Sequence, residues 1–198
     1  MAIITNALDA IPLEDQIVFA QNRFDAVEYF SEFGFDPSLV DLRHYFGREA
    51  ALRKLLSRYG VVWALGGNSF LLRKAMHLSG FDAVIRELLD TNQIVYSGWS
   101  AGACVAGTTL KGINLMDAPE QTAQAYPDCD IIWEGLHLVP YVVVPHCDSD
   151  HPEALMANKA SRWLVENKVD HVTLRDGEVI VRQGDKIEKL NRKLDMIS

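Results

Sequence analysis

Cysteine is scarce in this chain: Cys104, Cys129 and Cys147 are the only three in 198 residues. So small and odd a number excludes a disulfide framework and fits a reducing, cytoplasmic setting. Long apolar runs are missing, and none approaches the roughly 18 residues that a membrane span needs, so no membrane partner is expected. The first basic residue is Arg23, so the start lacks the cationic segment of a secretory signal. Positive charge is short throughout. Nineteen Lys and Arg against 27 Asp and Glu leave a net charge of −8, a field that repels phosphate backbones and argues against nucleic acid. No repeat, low-complexity run or linker interrupts the sequence, so one domain over 1–198 is expected. A dinucleotide G-x-G-x-x-G, an H-E-x-x-H and a CxxC pair are all absent, and no cofactor is expected.

What the chain does have is an ordinary globular composition, 48% apolar and 23% charged, enough to bury a sizeable core. Ala2 to Thr5 reads as a strand buried on both faces, because it is apolar without polar alternation. A helix is expected from about Glu14 to Phe33, with Ile17, Ala20, Phe24, Val27 and Phe30 or Ser31 on one stripe and Gly34 as its stop. Leu39 to Tyr45 reads as a strand, Arg48 to Tyr59 as a helix, and Val61 to Leu65 as a third strand. Two helices, Phe70 to Leu78 and Phe81 to Asp90, precede a strand at Ile94 to Ser97. Gly107 to Gly135 lacks periodicity and reads as loop. Tyr141 to Val144 is another strand, followed by a helix from about Pro152 to Glu166. His171 to Arg175, the Asp176-Gly177 pair and Glu178 to Arg182 read as a β-hairpin. Strands alternating with amphipathic helices imply an α/β fold, doubly wound, with a mostly parallel sheet covered on both faces.

Chemistry gathers where strands end. Gly98-Trp99-Ser100-Ala101-Gly102 fits the G-x-S-x-G nucleophile elbow, in which small neighbours let a Ser sit on a cramped strand-to-helix turn. The hydroxyl then projects from the C-terminal edge of the sheet, while nearby N–H groups favour a developing oxyanion. Gly66-Gly67-Asn68 ends the preceding strand in the same manner. Gly67 can bring an N–H close to a substrate oxygen, and Gly66 and Asn68 beside it are candidates for substrate contact.

A base is also required. Of six His, His44, His77 and His171 sit in regular segments without chemical company, and His137 between apolar residues reads as structural. His146 follows the Tyr141–Val144 strand through Pro145 and so emerges at the ligand-binding edge of an open α/β sheet. Two acids can complete a triad: Asp117 after the elbow or Asp176 in the late turn, and order along the chain does not choose between them. The run His146-Cys147-Asp148-Ser149-Asp150-His151 offers a rival, a divalent-metal site, although its spacing matches no familiar motif. Cys147 as nucleophile has no base but the same His146.

Leu65 to Phe70, Gly98 to Ala103 and Val144-Pro145-His146, in that order, resemble the peptidase E (aspartyl dipeptidase) family of serine peptidases, on the class I glutamine amidotransferase-like fold. The resemblance implies Ser100 as nucleophile, His146 as base, Gly67 and Ala101 as oxyanion donors, and no metal. It leaves the acid open between Asp117 and Asp176. Family members carry an extra strand and helix ahead of the segment matching Ala2–Asn6, so this chain is expected to begin about 30 residues late. Expected partners are a small peptide substrate and, as an open alternative, a second copy of the chain. The loop after His146 carries Asp148, Asp150 and Glu153 and no Lys or Arg before Lys159, with Arg162 further along the helix. An acidic N-terminal side chain would meet like charge there, so neutral or basic N-terminal residues are expected to be preferred. The short start and acidic loop also suit a non-catalytic relative that retains only the elbow.

Overall fold

The computed structural model describes residues 1–22 and 24–191. Four parallel strands form the central sheet in the order β2-β1-β3-β4: β1 Ala2–Ile4, β2 Ser38–Val40, β3 Val61–Ala64 and β4 Val95–Gly98. Between them run α1 Leu13–Asn22, α2 Ala26–Glu32, α3 Glu49–Leu56, α4 Ser69–Ser79 and α5 Phe81–Asp90. The short α6 Ala101–Cys104 follows β4, and α7 Ala154–Glu166 joins a second parallel pair, β5 Val142–Val144 and β6 His171–Thr173. An antiparallel hairpin, β7 Glu178–Gln183 with β8 Lys186–Asn191, closes the described chain.

The apolar run of β1 is unbroken because the strand is paired on both edges and covered on both faces. Ala2, Ile4, Val62 and Ala64 share a core with Leu52 and Leu56 of α3, Leu72 and Met76 of α4, and Phe81 of α5. Ile3 points the other way, with Trp63, onto Ala26 and Phe30 of α2. Helices therefore cover both faces, as the alternation of elements predicts. The first core continues through Val142, Val144 and Leu164, tying the second parallel pair to the main sheet. Among the described residues no helix is long and apolar enough to cross a membrane.

Three local expectations are corrected. The single helix from Glu14 to Phe33 is two helices, because Asp25 adopts an extended backbone (φ −95°, ψ 110°) and caps a new start, its carboxylate accepting from the N–H groups of Val27 and Glu28. The strand expected to reach Tyr45 stops at Val40. Asp41 accepts from the N–H of Arg43 at 2.9 Å and turns Leu42–Tyr45 into a 3₁₀ helix. The C-terminal hairpin exists, but from a later pair of strands. His171–Thr173 pairs in parallel with Val142–Val144, where Val143 and Val172 meet in a small apolar cluster. The two-residue turn of the hairpin is Gly184-Asp185, and Asp176-Gly177 lies instead in the loop joining β6 to β7.

Candidate active site

The C-terminal ends of β1, β3, β4, β5 and β6 open on one cleft of about 1630 Å³. Gly66, Gly67, Trp99, Ser100, His146 and Asp176 all line it. Ligand sites at this edge are the rule for open α/β sheets, because the loops there leave every strand in the same direction.

Ser100 sits between β4 and α6 with φ 47° and ψ −115°, outside the regions open to residues with side chains. Packing forces this conformation. A Cβ on Gly102 would lie 2.3 Å from the carbonyl oxygen of Ala64, so the start of α6 rests directly on the end of β3. The Ser100 carbonyl accepts from the N–H groups of Ala103 and Cys104, both at 2.9 Å, which anchors the turn. Next door, a Cβ on Gly66 would stand 3.1 Å from the Cβ of Ser100, so β3 delivers its glycines against the nucleophile candidate. Gly67 has φ 132°, and a Cβ there would fall 2.5 Å from the Ala7 carbonyl oxygen. Only glycine fits. Among the described residues neither the Gly67 N–H nor the Ala101 N–H has a hydrogen-bond partner, which suits both to an oxyanion.

His146 is half of a close pair: its Nδ1 lies 2.7 Å from Asp176 Oδ1. A carboxylate only accepts, so Nδ1–H donates to it, and in the neutral imidazole the lone pair is then on Nε2. That Nε2 is buried and without a partner, with Glu153 Oε2 at 3.8 Å. Asp176 is held in turn by its own N–H, which donates to Ser149 Oγ at 2.8 Å. Among the described residues no hydrogen bond joins Ser100 to His146. Such contacts commonly tighten only when substrate is bound.

Asp117 does not meet His146. Its Oδ2 accepts from the N–H of Ser69 at 2.9 Å, at the start of α4, and burial pushes its carboxyl above the usual carboxylate range against that hydrogen bond. Asn68 is likewise committed. Its Oδ1 caps α4 by accepting from Phe70 and Leu71, while Nδ2 donates to the Ala118 carbonyl and to Gln121 Oε1. Substrate contact by Asn68 is therefore replaced by a cap. Burial also pushes the Cys147 thiol up to about 11, so little thiolate exists at neutral pH.

His146, His151 and Glu153 bring ligand atoms within 4.8 Å of one another. The two imidazoles are nevertheless stacked, with centroids 3.8 Å apart and planes inclined by 9°. Their lone pairs lie in parallel planes and do not converge on one ion. His151 Nδ1 is in addition occupied, accepting from the Glu153 N–H at 3.2 Å. This donor set fits a metal poorly.

Sequence reasoning missed the cations and aromatics of the cleft. Arg175, beside Asp176, lines it and lies 3.7 Å from Asp148. Arg86 and Arg182 line it too, and Phe24 packs on Trp99 with centroids 4.6 Å apart. The signal for Arg175 in the sequence is its adjacency to Asp176, outside the acidic loop that follows His146.

The family model of peptidase family S51 matches residues 22–190. The chain belongs to peptidase family S51. A Peptidase E from Shewanella amazonensis is 31% identical over 133 residues, covering 65% of this chain and 52% of the relative. For a Peptidase E from Haemophilus influenzae the figures are 33% over 146 residues, 71% and 62%. The chain thus spans about half the length of the first of these S51 relatives and under two thirds of the second. Among solved structures, one described under the Peptidase E name from Listeria monocytogenes EGD-e aligns with a TM-score of 0.75 at 17% identity, covering 96% of this chain and 84% of that one. A peptidase from an acI-B1 actinobacterium aligns at 0.64 and 14%, covering 96% and 73%. These two likenesses establish the S51 chain's fold and nothing finer.

Proposed function

We propose that this chain is the catalytic domain, cytoplasmic and free of cofactor, of a serine peptidase that hydrolyses small peptides. In this reading Ser100 Oγ attacks the scissile carbonyl carbon while His146 Nε2 takes its proton. The Gly67 and Ala101 N–H groups hold the oxyanion of the tetrahedral intermediate. Collapse breaks the C–N bond, and the imidazolium returns the proton to the departing amine. Water, deprotonated by the same Nε2, then cleaves the acyl-enzyme. Asp176 fixes the tautomer and stabilises the imidazolium.

The observation that carries this reading is the 2.7 Å His146–Asp176 pair, which leaves an unpartnered Nε2 beside the cleft that holds the Ser100 elbow. The missing Ser100–His146 hydrogen bond favours the second reading, a binding relative without turnover. A fluorophosphonate probe separates them. The enzyme labels at Ser100, the Ser100→Ala variant does not label and loses on the order of 10⁶ in kcat, and EDTA leaves labelling unchanged. Absence of label sinks the enzyme reading. Activity lost on chelation together with a stoichiometric transition metal moves it to a metallohydrolase.

A further inference from the structure

The buried carboxylate of Asp117 has no place in the proton relay above, yet it touches the other half of the site. It accepts from the Ser69 N–H at 2.9 Å, two residues after Gly67. The next residues of the same segment grip Asn68: the Ala118 carbonyl accepts from Nδ2 at 3.0 Å and Gln121 Oε1 accepts at 2.6 Å. On the opposite side the Asn68 N–H donates to the Ala7 carbonyl at 2.8 Å, the same oxygen that a Cβ on Gly67 would strike. The Gly66–Ser69 turn is therefore pinned between two anchors, one from the 3₁₀ turn Asn6–Leu8 that follows β1 and one from the loop after α6. Between them lies the unpartnered Gly67 N–H.

We propose that the segment Asp117–Gln121 is the positioning element of the oxyanion loop, with Asp117 its principal anchor, and that Asp117 is not the acid partner of His146. The inference rests on Ser100 being the nucleophile and on the Gly67 N–H meeting its oxyanion. A glycine peptide has no side chain to hold its own orientation, so its neighbours must supply it. The donor acts only where negative charge develops, so misplacing it costs turnover and leaves ground-state binding nearly unchanged.

The test compares variants by steady-state kinetics on one dipeptide across pH. Asp117→Ala is expected to lower kcat about 10- to 100-fold, within the range for losing an oxyanion donor. KM should stay within about threefold, and the pKa governing kcat/KM on the acid side should not move. Asp117→Asn can still accept from the Ser69 N–H and is expected to recover most of the loss. Gln121→Ala, at an exposed residue, removes one grip without leaving a buried cavity and is expected to cost about 3- to 10-fold in kcat; it decides the matter if Asp117→Ala does not fold. The proposal is overturned if Asp117→Asn is as inactive as Asp117→Ala while Asp176→Asn stays near wild type, since Asp117 is then the acid. It is equally overturned if Asp117→Ala, or Gln121→Ala in its place, keeps kcat within twofold. Failure of Ser100 to take the fluorophosphonate probe would instead remove the underlying peptidase reading, a separate result.

Discussion

The two halves of the candidate site are built in different ways. The nucleophile half, Ser100 with Gly66, Gly67 and Ala101, stands at the ends of two adjacent strands of the central sheet, β3 and β4, paired over four residues. Its geometry follows from backbone packing between adjacent strand ends, above all Gly102 on Ala64. The base half, His146 and Asp176, stands on a separate parallel pair held by a three-residue register. Its two members are 30 residues apart in sequence and meet only because β6 docks on β5. Close backbone packing between strand ends fixes the first half, and a side-chain hydrogen bond between residues that follow paired strands fixes the second.

Breaking each half separately should have unequal effects. Asp176→Asn keeps the shape but removes the charge that stabilises the imidazolium and offers an NH₂ that donates to Nδ1 and favours the wrong tautomer, and kcat should fall about 10⁴-fold, as loss of a triad acid does elsewhere. A fall below tenfold would mean that His146 needs no acid from the late loop. Gly67→Ala forces a Cβ to within 2.5 Å of the Ala7 oxygen at φ 132°. It should cost about 10² in kcat and lower the melting temperature, because backbone must shift; unchanged kinetics would take Gly67 out of the oxyanion hole. The smallest effect concerns the walls. Glu153 stands 3.8 Å from His146 in the cleft, and Arg175 is engaged with Asp148, so Asp-Xaa dipeptides should be cleaved about tenfold more slowly than those with neutral or basic N-terminal residues. Competing dipeptide libraries read by mass spectrometry check this. Selective Asp-Xaa cleavage would mean that Arg175 leaves Asp148 for the substrate.

The same contrast explains what the sequence disclosed. The G-x-S-x-G spacing and the Gly66-Gly67 pair can be read because close backbone packing demands glycine at those positions whatever the partner, here Ala64 for Gly102 and Ala7 for Gly67. The choice between Asp117 and Asp176 depends on whether Thr173 pairs with Val144 or folds back on Glu178. Alternating apolar residues announce a strand without naming its partner. Asp176-Gly177 has good turn chemistry and serves a loop, while the hairpin turns one strand later. Asn68 misled for a similar reason. A polar residue after two glycines looks like a ligand contact, but here the orphan N–H groups at the start of α4 claim it. Arg175 reaches the cleft only through the pairing of β6 with β5, which sequence proximity to His146 does not disclose.

The backbone of Ser100 has a consequence for stability as well as for catalysis. A residue carrying a Cβ at φ 47°, ψ −115° raises the folded state's energy by about 1–3 kcal/mol, and glycine would relieve it. The site that confers reactivity is thus a thermal weak point that selection for stability alone would remove. Ser100→Gly should melt a few degrees above Ser100→Ala, both being inactive, with about 1 kcal/mol worth roughly 2–4 °C in a chain of this size. The gap between those two melting temperatures would measure what the protein gives up in robustness to keep a nucleophile at its elbow.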